Sequence, residues 1–409
     1  MSPLAFNKPN EGLKLWQQLL VFALVAGAIV SRRPDALFNP QFYAEDGAVW
    51  YAQSYNLGWL RSLAIPAGGY LNTLPRVLCG VALLVPLATA PVILNLFGIA
   101  IQALPVMVLL SSRCAGWGTL PIRALAALIY IALPNSNEID VTITNAHWHL
   151  ALVLCLVAFG TQPLTLAWKI FDVAALLLGG LTGPWAIVLA PLAFIFWRIR
   201  RQSWSLVTTI ILAACALTQM AFLATSYTRP ATPLGASTEL LLRLITGQIY
   251  VAAIWGQNSF VTRGHILLIA LIFLAGTAVI GYCFLKSKWE HRLFIIFCAL
   301  ILTASLASPL IEGPLPRWSL LSIDKGGRYW FFPMLALLWS LLWWASRKNV
   351  FSIIVLAVSL RGVWHDWHYW PYKNENFPIY AAQFERAQPG TKMTIPIYPD
   401  GHQMELIKK

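Results

Sequence analysis

Apolar segments that are long enough, or nearly long enough, to cross the hydrocarbon core of a bilayer recur along most of the chain. Several are short, and proline or glycine interrupts others. Uneven, interrupted helices are typical of membrane proteins that enclose a cavity. The predicted segments are Leu15–Val30, Leu74–Ala88, Val92–Leu110, Leu120–Leu133, Trp148–Gly160, Ile170–Leu181, Trp185–Trp197, Leu206–Ala224, Ile266–Leu285, Leu293–Ala307, Tyr329–Trp344 and Val350–Leu360.

The composition agrees with this pattern. Of the 409 residues, 58% are hydrophobic and only 11% are charged, whereas about a quarter of the residues in soluble domains are charged. An ordinary soluble enzyme is therefore excluded, and so is a disordered chain, which needs low hydrophobicity and high charge. We predict an all-α polytopic membrane protein in contact with the lipid bilayer.

The net charge of +13 is concentrated in clusters between apolar segments. Two apolar segments separate each cluster from the next, so all of them are predicted to lie on the cytoplasmic side. The connections 225–264 and 308–328 are then external. No basic run carries interleaved aromatic residues on a soluble segment, so nucleic acid is not expected as a partner. The clusters are Arg198, Arg200 and Arg201; Lys286, Lys288 and Arg292; and Arg347 and Lys348.

The same rule leads to a conflict in the first part of the chain. It makes 31–73 the first external loop and 134–147 the second, yet three apolar segments lie between them. We therefore treat Leu74–Ala88, which carries Arg76 and two prolines, as a re-entrant or interfacial piece. About eleven spans remain, within a range of ten to thirteen, with the N-terminus inside and the C-terminus outside.

Residues 1–364 form the predicted transmembrane domain, and 365–409 a small external C-terminal cap. The cap is aromatic at first and then polar. Within it, Tyr380–Gln388 is predicted to be a short helix and Lys392–Tyr398 a short strand.

The first external loop carries two adjacent carboxylates, Glu45 and Asp46, in an aromatic setting. Acids at a membrane boundary are costly and are often functional. One of the pair could be held at a pKa suited to accepting a proton. The alternative is that Glu45 or Asp46 caps a helix that begins near Gly47.

The second external loop carries Glu138 and Asp140, followed by Asn145 and His147. On an extended segment, an acid-x-acid pair points both side chains the same way and could hold a divalent metal. The spacing is not a specific metal signature, so no cofactor is certain. Contact with a substrate is the other interpretation, and we prefer it for Glu138, Asn145 and His147.

A late segment places Lys325 and Arg328 beside two glycines, directly before Tyr329 and an apolar helix. Cations and backbone N–H groups at a helix start can bind a phosphate. The alternative is a pair of interfacial cations within an aromatic belt. Arg76 is a further candidate for the same role.

These motifs resemble the GT-C superfamily of membrane glycosyltransferases, which use sugars linked to polyprenyl phosphate. The resemblance lies in the acidic pair on the first external loop, the acidic motif two loops later and the Gly-Gly-Arg-Tyr-Trp-Phe-Phe-Pro stretch that ends at Pro333. Three further stretches are similar to bacterial members that modify surface polysaccharides. They are Phe42 through Gly69-Tyr70 to Pro75-Arg76, Thr144-Asn145-Ala146-His147-Trp148, and Leu181-Thr-Gly-Pro184.

The resemblance implies that Asp46 is the general base and that Arg328, with Lys325, holds the lipid phosphate. The expected donor is a sugar linked to polyprenyl phosphate, the acceptor a glycan or glycolipid of the cell envelope, and the location a bacterial inner membrane with the site facing the periplasm. A lipid-linked oligosaccharide flippase or transporter and a noncatalytic envelope-assembly protein are the alternatives.

Overall fold

Helices dominate the structure, a computed structural model that describes residues 13–226, 232–258, 260–311, 313–322 and 326–409. In chain order, the α-helices are α1 (Leu15–Arg32), α2 (Asp35–Phe38), α3 (Ala52–Leu57), α4 (Trp59–Ser62), α5 (Thr73–Ala82), α6 (Ala90–Leu110), α7 (Leu120–Ile131), α8 (Ala146–Ala158), α9 (Leu166–Gly180), α10 (Trp185–Arg200), α11 (Ser203–Ser226), α12 (Thr238–Leu244), α13 (Ala252–Trp255), α14 (Phe260–Arg263), α15 (Ile266–Lys286), α16 (Trp289–Ala307), α17 (Arg317–Ser322), α18 (Phe331–Ala345), α19 (Val350–His365) and α20 (Phe377–Arg386).

Shorter helical turns and one hairpin complete the fold. Asp46–Tyr51 and Ile245–Val251 are π-helices that lead directly into α3 and α13. Three 3₁₀ turns, at Ser112–Trp117, Asn137–Ile139 and Gly327–Trp330, precede longer helices. The strands are β1 (Lys392–Ile397) and β2 (His402–Ile407).

Each of the twelve predicted apolar segments is represented by a helix, because apolar stretches of this length satisfy their backbone groups internally as helices. Five of the helices, α1, α6, α11, α15 and α16, are long and apolar enough to cross a membrane. The chain therefore has the character of a multi-pass membrane protein.

Contacts between helix ends define one end of the bundle, which we call the basic end. Arg113 donates to the Asp172 carboxylate at 2.6 Å, and Arg200 pairs with Glu290. A cavity at this end is lined by Arg123, Lys288 and Arg347 among others. The clusters predicted to share one side thus meet at one end of the bundle.

The opposite end carries Asp46, and we call it the Asp46 end. Arg32, the last residue of α1, donates at 2.5 Å to the carbonyl of Ile131, the last residue of α7. α7 begins near Arg123 at the basic end, so its twelve residues separate the two ends by about 18 Å.

Helix α5 begins and ends near the Asp46 end. The Thr73 N–H donates to the Leu181 carbonyl at 3.1 Å, and beyond the helix the Leu87 N–H donates to the Glu385 carboxylate at 2.9 Å. The helix ends at Ala82, short of Pro86, which cannot continue a helix. Both ends of this segment thus lie at the same end of the bundle.

Two regions that the hydropathy pattern indicates to be external loops contain helices, and this corrects the prediction. The region 225–264 contains α12, a π-helix and α13 as one continuous helical run, and 31–73 contains four short helical pieces. Polar residues such as Gln248, which donates to the Leu321 carbonyl at 3.3 Å, interrupt the apolar pattern that would reveal these helices.

The C-terminal segment packs on the Asp46 end. Helix α20 and strand β1 lie within three residues of the predicted bounds, whereas β2, which pairs antiparallel with β1, was not predicted. The rings of Phe42 and Phe377 are 5.3 Å apart, edge to face. Ile397 lies beside Gly47, where an added Cβ would approach its Cδ1 to 3.0 Å.

Candidate functional site

Asp46 lies at the centre of the candidate site and is only 2% exposed. Its carboxylate accepts hydrogen bonds from the Thr144 N–H at 2.7 Å, the Ile143 N–H at 3.3 Å and the Thr144 hydroxyl. Asp46 is the first residue of a π-helix, but the three donors to its carboxylate lie in the second external loop. The helix-capping alternative is therefore wrong for Asp46, which joins the first loop to the second.

A tight turn directly precedes the two carboxylates of the acidic pair. Ala44 has a positive φ of 39°, which L-residues rarely adopt, and its N–H donates to the Tyr398 carbonyl at 2.6 Å. After this turn Asp46 is buried and Glu45 is exposed. Glu45 makes no capping bond from its own side chain either.

The surroundings of Asp46 change its acidity. Burial raises its pKa from 3.8 to about 7, the hydrogen bonds from Thr144 oppose this shift, and the nearby Glu45 carboxylate adds to it. A carboxylate with a pKa close to neutral can accept and release a proton under ordinary conditions.

Arg76 lies in the protein interior, beside Trp50. Its side chain is fully buried, its guanidinium lies 5.0 Å from the centre of the Trp50 ring, and Nη2 donates to the Gln53 amide oxygen at 2.9 Å. The Trp50 indole donates in turn to the Thr144 hydroxyl at 2.9 Å. Within the described residues, Nε and Nη1 of Arg76 have no hydrogen-bond partner.

Glu138 and Arg328, predicted as separate substrate contacts, form an ion pair. The Arg328 N–H also donates to the Glu138 carboxylate at 3.0 Å, and Nη2 donates to the Leu310 carbonyl at 2.6 Å and the Tyr329 hydroxyl at 3.2 Å. Burial lowers the pKa of Arg328, but Glu138 and Tyr329 outweigh burial and raise it overall. Arg328 is thus held as a cation whose first anionic partner belongs to this chain, and phosphate binding by Arg328 stays a prediction.

Lys325, the other predicted cation of this motif, lies outside the described residues. Tyr329 is described and is buried. Its hydroxyl accepts from the Leu310 N–H at 2.8 Å and so positions the segment before α18.

Glu138 and Asp140, considered as a possible metal pair, point to different partners. A 3₁₀ turn at Asn137–Ile139 replaces the expected extended segment, so Glu138 contacts Arg328 while Asp140 lies 2.5 Å from the Gln102 amide and 3.8 Å from Arg32. Across the described ranges, no group of three or more His, Cys, Asp or Glu side chains could hold a metal ion.

Asn145 and His147 have different surroundings. Asn145 is buried and donates to the Glu138 carbonyl at 2.8 Å, so it supports the loop that carries the ion pair. His147 is partly buried, and its Nδ1 accepts from the Trp185 indole at 3.1 Å. His147 is accordingly the more accessible of the two predicted contacts.

Tyr43 connects the acidic turn to the ion pair. Burial raises the pKa of its hydroxyl well above 10, nearby Tyr372 and the Glu138 and Glu45 carboxylates add to the rise, and Arg328 opposes it. The structure therefore brings both predicted acidic loops and the Arg328 motif together at one end of the bundle.

Sequence reasoning missed several residues of this end. Arg32 and Arg33 are buried, and the Arg33 guanidinium lies 5.1 Å from the Tyr369 ring and 4.1 Å from the Tyr372 ring. Two arginines at the predicted external end of α1 depart from the positive-inside rule, and this was the available signal. Nothing in the local pattern identified Thr144 as the partner of Asp46.

No protein-family model matches the chain, and no curated protein and no solved structure is significantly similar to it.

Proposed function

We propose that this protein is an integral membrane glycosyltransferase of the GT-C type. It moves a sugar from a polyprenyl-phosphate-linked donor to a glycan or glycolipid acceptor on the periplasmic face of a bacterial inner membrane. The observation that carries the proposal is the buried Asp46 carboxylate with a pKa near neutrality, at the same end of the bundle as the Arg328 cation.

The proposed step is a single inverting displacement. Asp46 takes the proton of an acceptor hydroxyl as its oxygen attacks the anomeric carbon, and the bond from that carbon to the phosphate oxygen breaks. The polyprenyl phosphate leaves as an anion. This chemistry needs a base within hydrogen-bond reach of the attacking hydroxyl, and it needs cations near the leaving group.

Access to Asp46 requires a local movement. With 2% of the residue exposed, an acceptor hydroxyl reaches the carboxylate only by displacing a present donor. The Thr144 hydroxyl is the best placed to be displaced, because a side chain can rotate whereas the backbone N–H groups of Ile143 and Thr144 are fixed by the loop.

Arg328 is the proposed contact for the phosphate, together with Lys325. The Arg328 side chain remains 25% exposed while Glu138 fixes its orientation. A preoriented guanidinium suits bidentate binding of phosphate oxygens. Glu138 then acts as a positioning residue rather than as a ligand of the substrate.

Helix directions support the proposed eleven crossings and the external position of the 365–409 cap. Eleven helices run alternately between the basic end and the Asp46 end, and the cap packs on the latter. The basic residues favour the cytoplasm for their own end. The eleven are α1, α6, α7, α8, α9, α10, α11, α15, α16, α18 and α19.

The test compares envelope glycans, by mass spectrometry, from cells that lack the gene and cells that carry wild-type or variant copies. Asp46→Asn keeps the size and one oxygen of the side chain but cannot accept a proton. We expect it to reduce the product by about a thousandfold, the usual contribution of a general base. Asp400→Asn, a change at an exposed carboxylate of the C-terminal segment, is the matched control and retains wild-type product.

Amounts of folded protein in the membrane are measured for each variant. Wild-type product from folded Asp46→Asn would refute the base assignment. If deletion of the gene leaves every envelope glycan unchanged, the glycosyltransferase proposal itself is wrong.

A further inference from the structure

The basic end contains a cavity of about 410 Å³ that the proposed transfer reaction does not use. It is lined by residues of α7, α16, α18 and the turn before α7. Helix α18 starts next to Arg328 and ends next to the cavity, so its fifteen residues separate the cavity from the candidate site by about 22 Å.

Aromatic and aliphatic side chains form the inner wall of the cavity. Trp117 packs edge to face on Trp339 with ring centres 5.9 Å apart, and Ile122 and Leu342 complete the apolar surface. Such a wall accommodates the apolar part of an amphiphile and not a fully hydrated ion.

The cavity also has cationic residues. Arg123 is buried and donates to the Leu109 carbonyl at 2.8 Å, so its position is fixed. Lys288 and Arg347 are exposed, and within the residues that the structure describes neither takes part in an ion pair. The Arg347 guanidinium lies 4.0 Å from the centre of the Trp343 ring, which leaves its N–H groups without an anionic partner among the described residues. Two cations without an ion-pair partner beside a fixed one favour an anionic ligand.

Three buried polar atoms of lining residues lack partners in the described part of the chain. They are Nε1 of Trp117 and Nε of Arg123, which can only donate, and Oε2 of Glu290, which accepts. A buried polar group without a partner is costly and is normally satisfied by a ligand or water. The charge of Glu290 is offset by its pair with Arg200. The cavity therefore offers an acceptor for a hydroxyl group as well as donors for a phosphate.

We propose that this cavity binds the phosphoglycerol headgroup of an anionic membrane phospholipid. The phosphate lies against Lys288 and Arg347, and a glycerol hydroxyl donates to Glu290. The lipid is the favoured source of the phosphate because the neighbouring α15, which packs on α16 and α18, buries only 11% of its apolar window within the protein and so offers its surface to lipid. Its last residue, Lys286, lies at the basic end, where the helix leaves the apolar region.

The experiment uses the purified full-length protein, delipidated in detergent, and native mass spectrometry. Phosphatidylglycerol is titrated first, and phosphatidylcholine, which has no net charge, is titrated in parallel. We expect phosphatidylglycerol to be retained selectively. The double variant Lys288→Gln, Arg347→Gln should bind phosphatidylglycerol about 25-fold more weakly, because each cation near a lipid headgroup contributes about fivefold to the affinity.

Lys348→Gln is the matched control, since Lys348 is an exposed cation beside Arg347 that does not line the cavity. It should bind phosphatidylglycerol like the wild type. Trp117→Phe removes the indole N–H and part of the ring system but keeps an aromatic ring and every cation, so it should weaken binding by a smaller factor than the double variant.

Equal retention of both lipids, or unchanged retention by the folded double variant, would overturn the proposal. Competition by glycerol 3-phosphate or inorganic phosphate at concentrations similar to those of the lipid would show that the cavity binds a soluble anion, and the lipid assignment would be wrong. Thermal unfolding in the same detergent confirms that each variant is folded. The inference is independent of the transfer activity, because loss of that activity in Asp46→Asn does not alter this measurement.

Discussion

The two acidic loops at the Asp46 end hold their carboxylates in opposite ways. Asp46 receives two backbone N–H groups and one hydroxyl, all of them neutral donors, whereas Glu138 is paired with Arg328 and Asp140 lies 3.8 Å from Arg32. Neutral donors do not offset the burial of Asp46, so its pKa rises to about 7. An arginine beside a carboxylate favours the charged form instead.

This difference separates a group suited to proton transfer from groups suited to holding structure. Both loops carry the same residue types in short motifs, and both lie near aromatic side chains. Only the neighbours contributed by distant parts of the chain distinguish them. Three comparisons, beginning with the one of largest expected effect, test this distinction.

Asp140→Asn should lower stability while leaving a side chain of the same size. It removes the carboxylate that pairs with the buried Arg32, whose other hydrogen-bond partners are the backbone carbonyls of Ile131, Leu133 and Asp366. Loss of one partner of a buried ion pair costs about 3 kcal/mol. Denaturant unfolding in mixed micelles measures this cost.

The matched change at Asp46 should behave differently. Asp46→Asn leaves no cation without its partner, so we expect a smaller loss of stability than for Asp140→Asn in the same assay. Equal losses of stability for the two variants would show that the two loops do not hold their carboxylates differently.

Arg328 and Glu138 should be energetically coupled. Their side chains are only 25% and 18% exposed, so removal of either leaves the other partly buried without its partner. A double-mutant cycle with Arg328→Ala and Glu138→Ala should give a coupling energy of about 1–2 kcal/mol. The exposed pair Lys392–Glu405 is the control and should show no measurable coupling.

A coupling energy of zero for Arg328 and Glu138 would mean that Glu138 does not orient the arginine. In that case the assignment of Glu138 as a positioning residue fails, and its interpretation as a direct substrate contact gains support.

Thr144→Val should shift the pH dependence of the proposed sugar transfer. Asp46 must be ionised to act as a base, so the rate should rise with pH through the pKa of Asp46, near 7. The hydrogen bonds from Thr144 lower this pKa. Loss of the hydroxyl therefore raises it, and the rising limb moves to higher pH by about one unit. An unshifted pH–rate profile would mean that ionisation of Asp46 does not set the pH dependence.

The raised pKa has a consequence for stability as well. Between pH 4 and 7 the folded protein keeps Asp46 protonated while the unfolded chain releases this proton. The contribution of Asp46 to stability is therefore greatest at low pH and falls as the pH rises through this window.

The long helices could be predicted from the sequence because hydropathy is a local property. Each of the twelve predicted segments corresponds to a helix, and the basic clusters meet at one end. The helical run from Thr238 to Trp255 was not predicted, because Arg243, Thr246 and Gln248 interrupt its apolar pattern. Those polar side chains are satisfied by distant backbone groups, which no local window contains.

The sequence by itself determined the class of the protein, the sidedness of its basic clusters and the acidic and basic motifs worth examining, since these depend on composition and on neighbours within a few residues. Only the tertiary structure decided that Asp46 is held by Thr144, that Glu138 pairs with Arg328 and that Asp140 lies near Arg32. These partners are separated by 98, 190 and 108 positions along the chain. The chemistry of a carboxylate is set by burial and by the charges around it, and packing between distant segments supplies both.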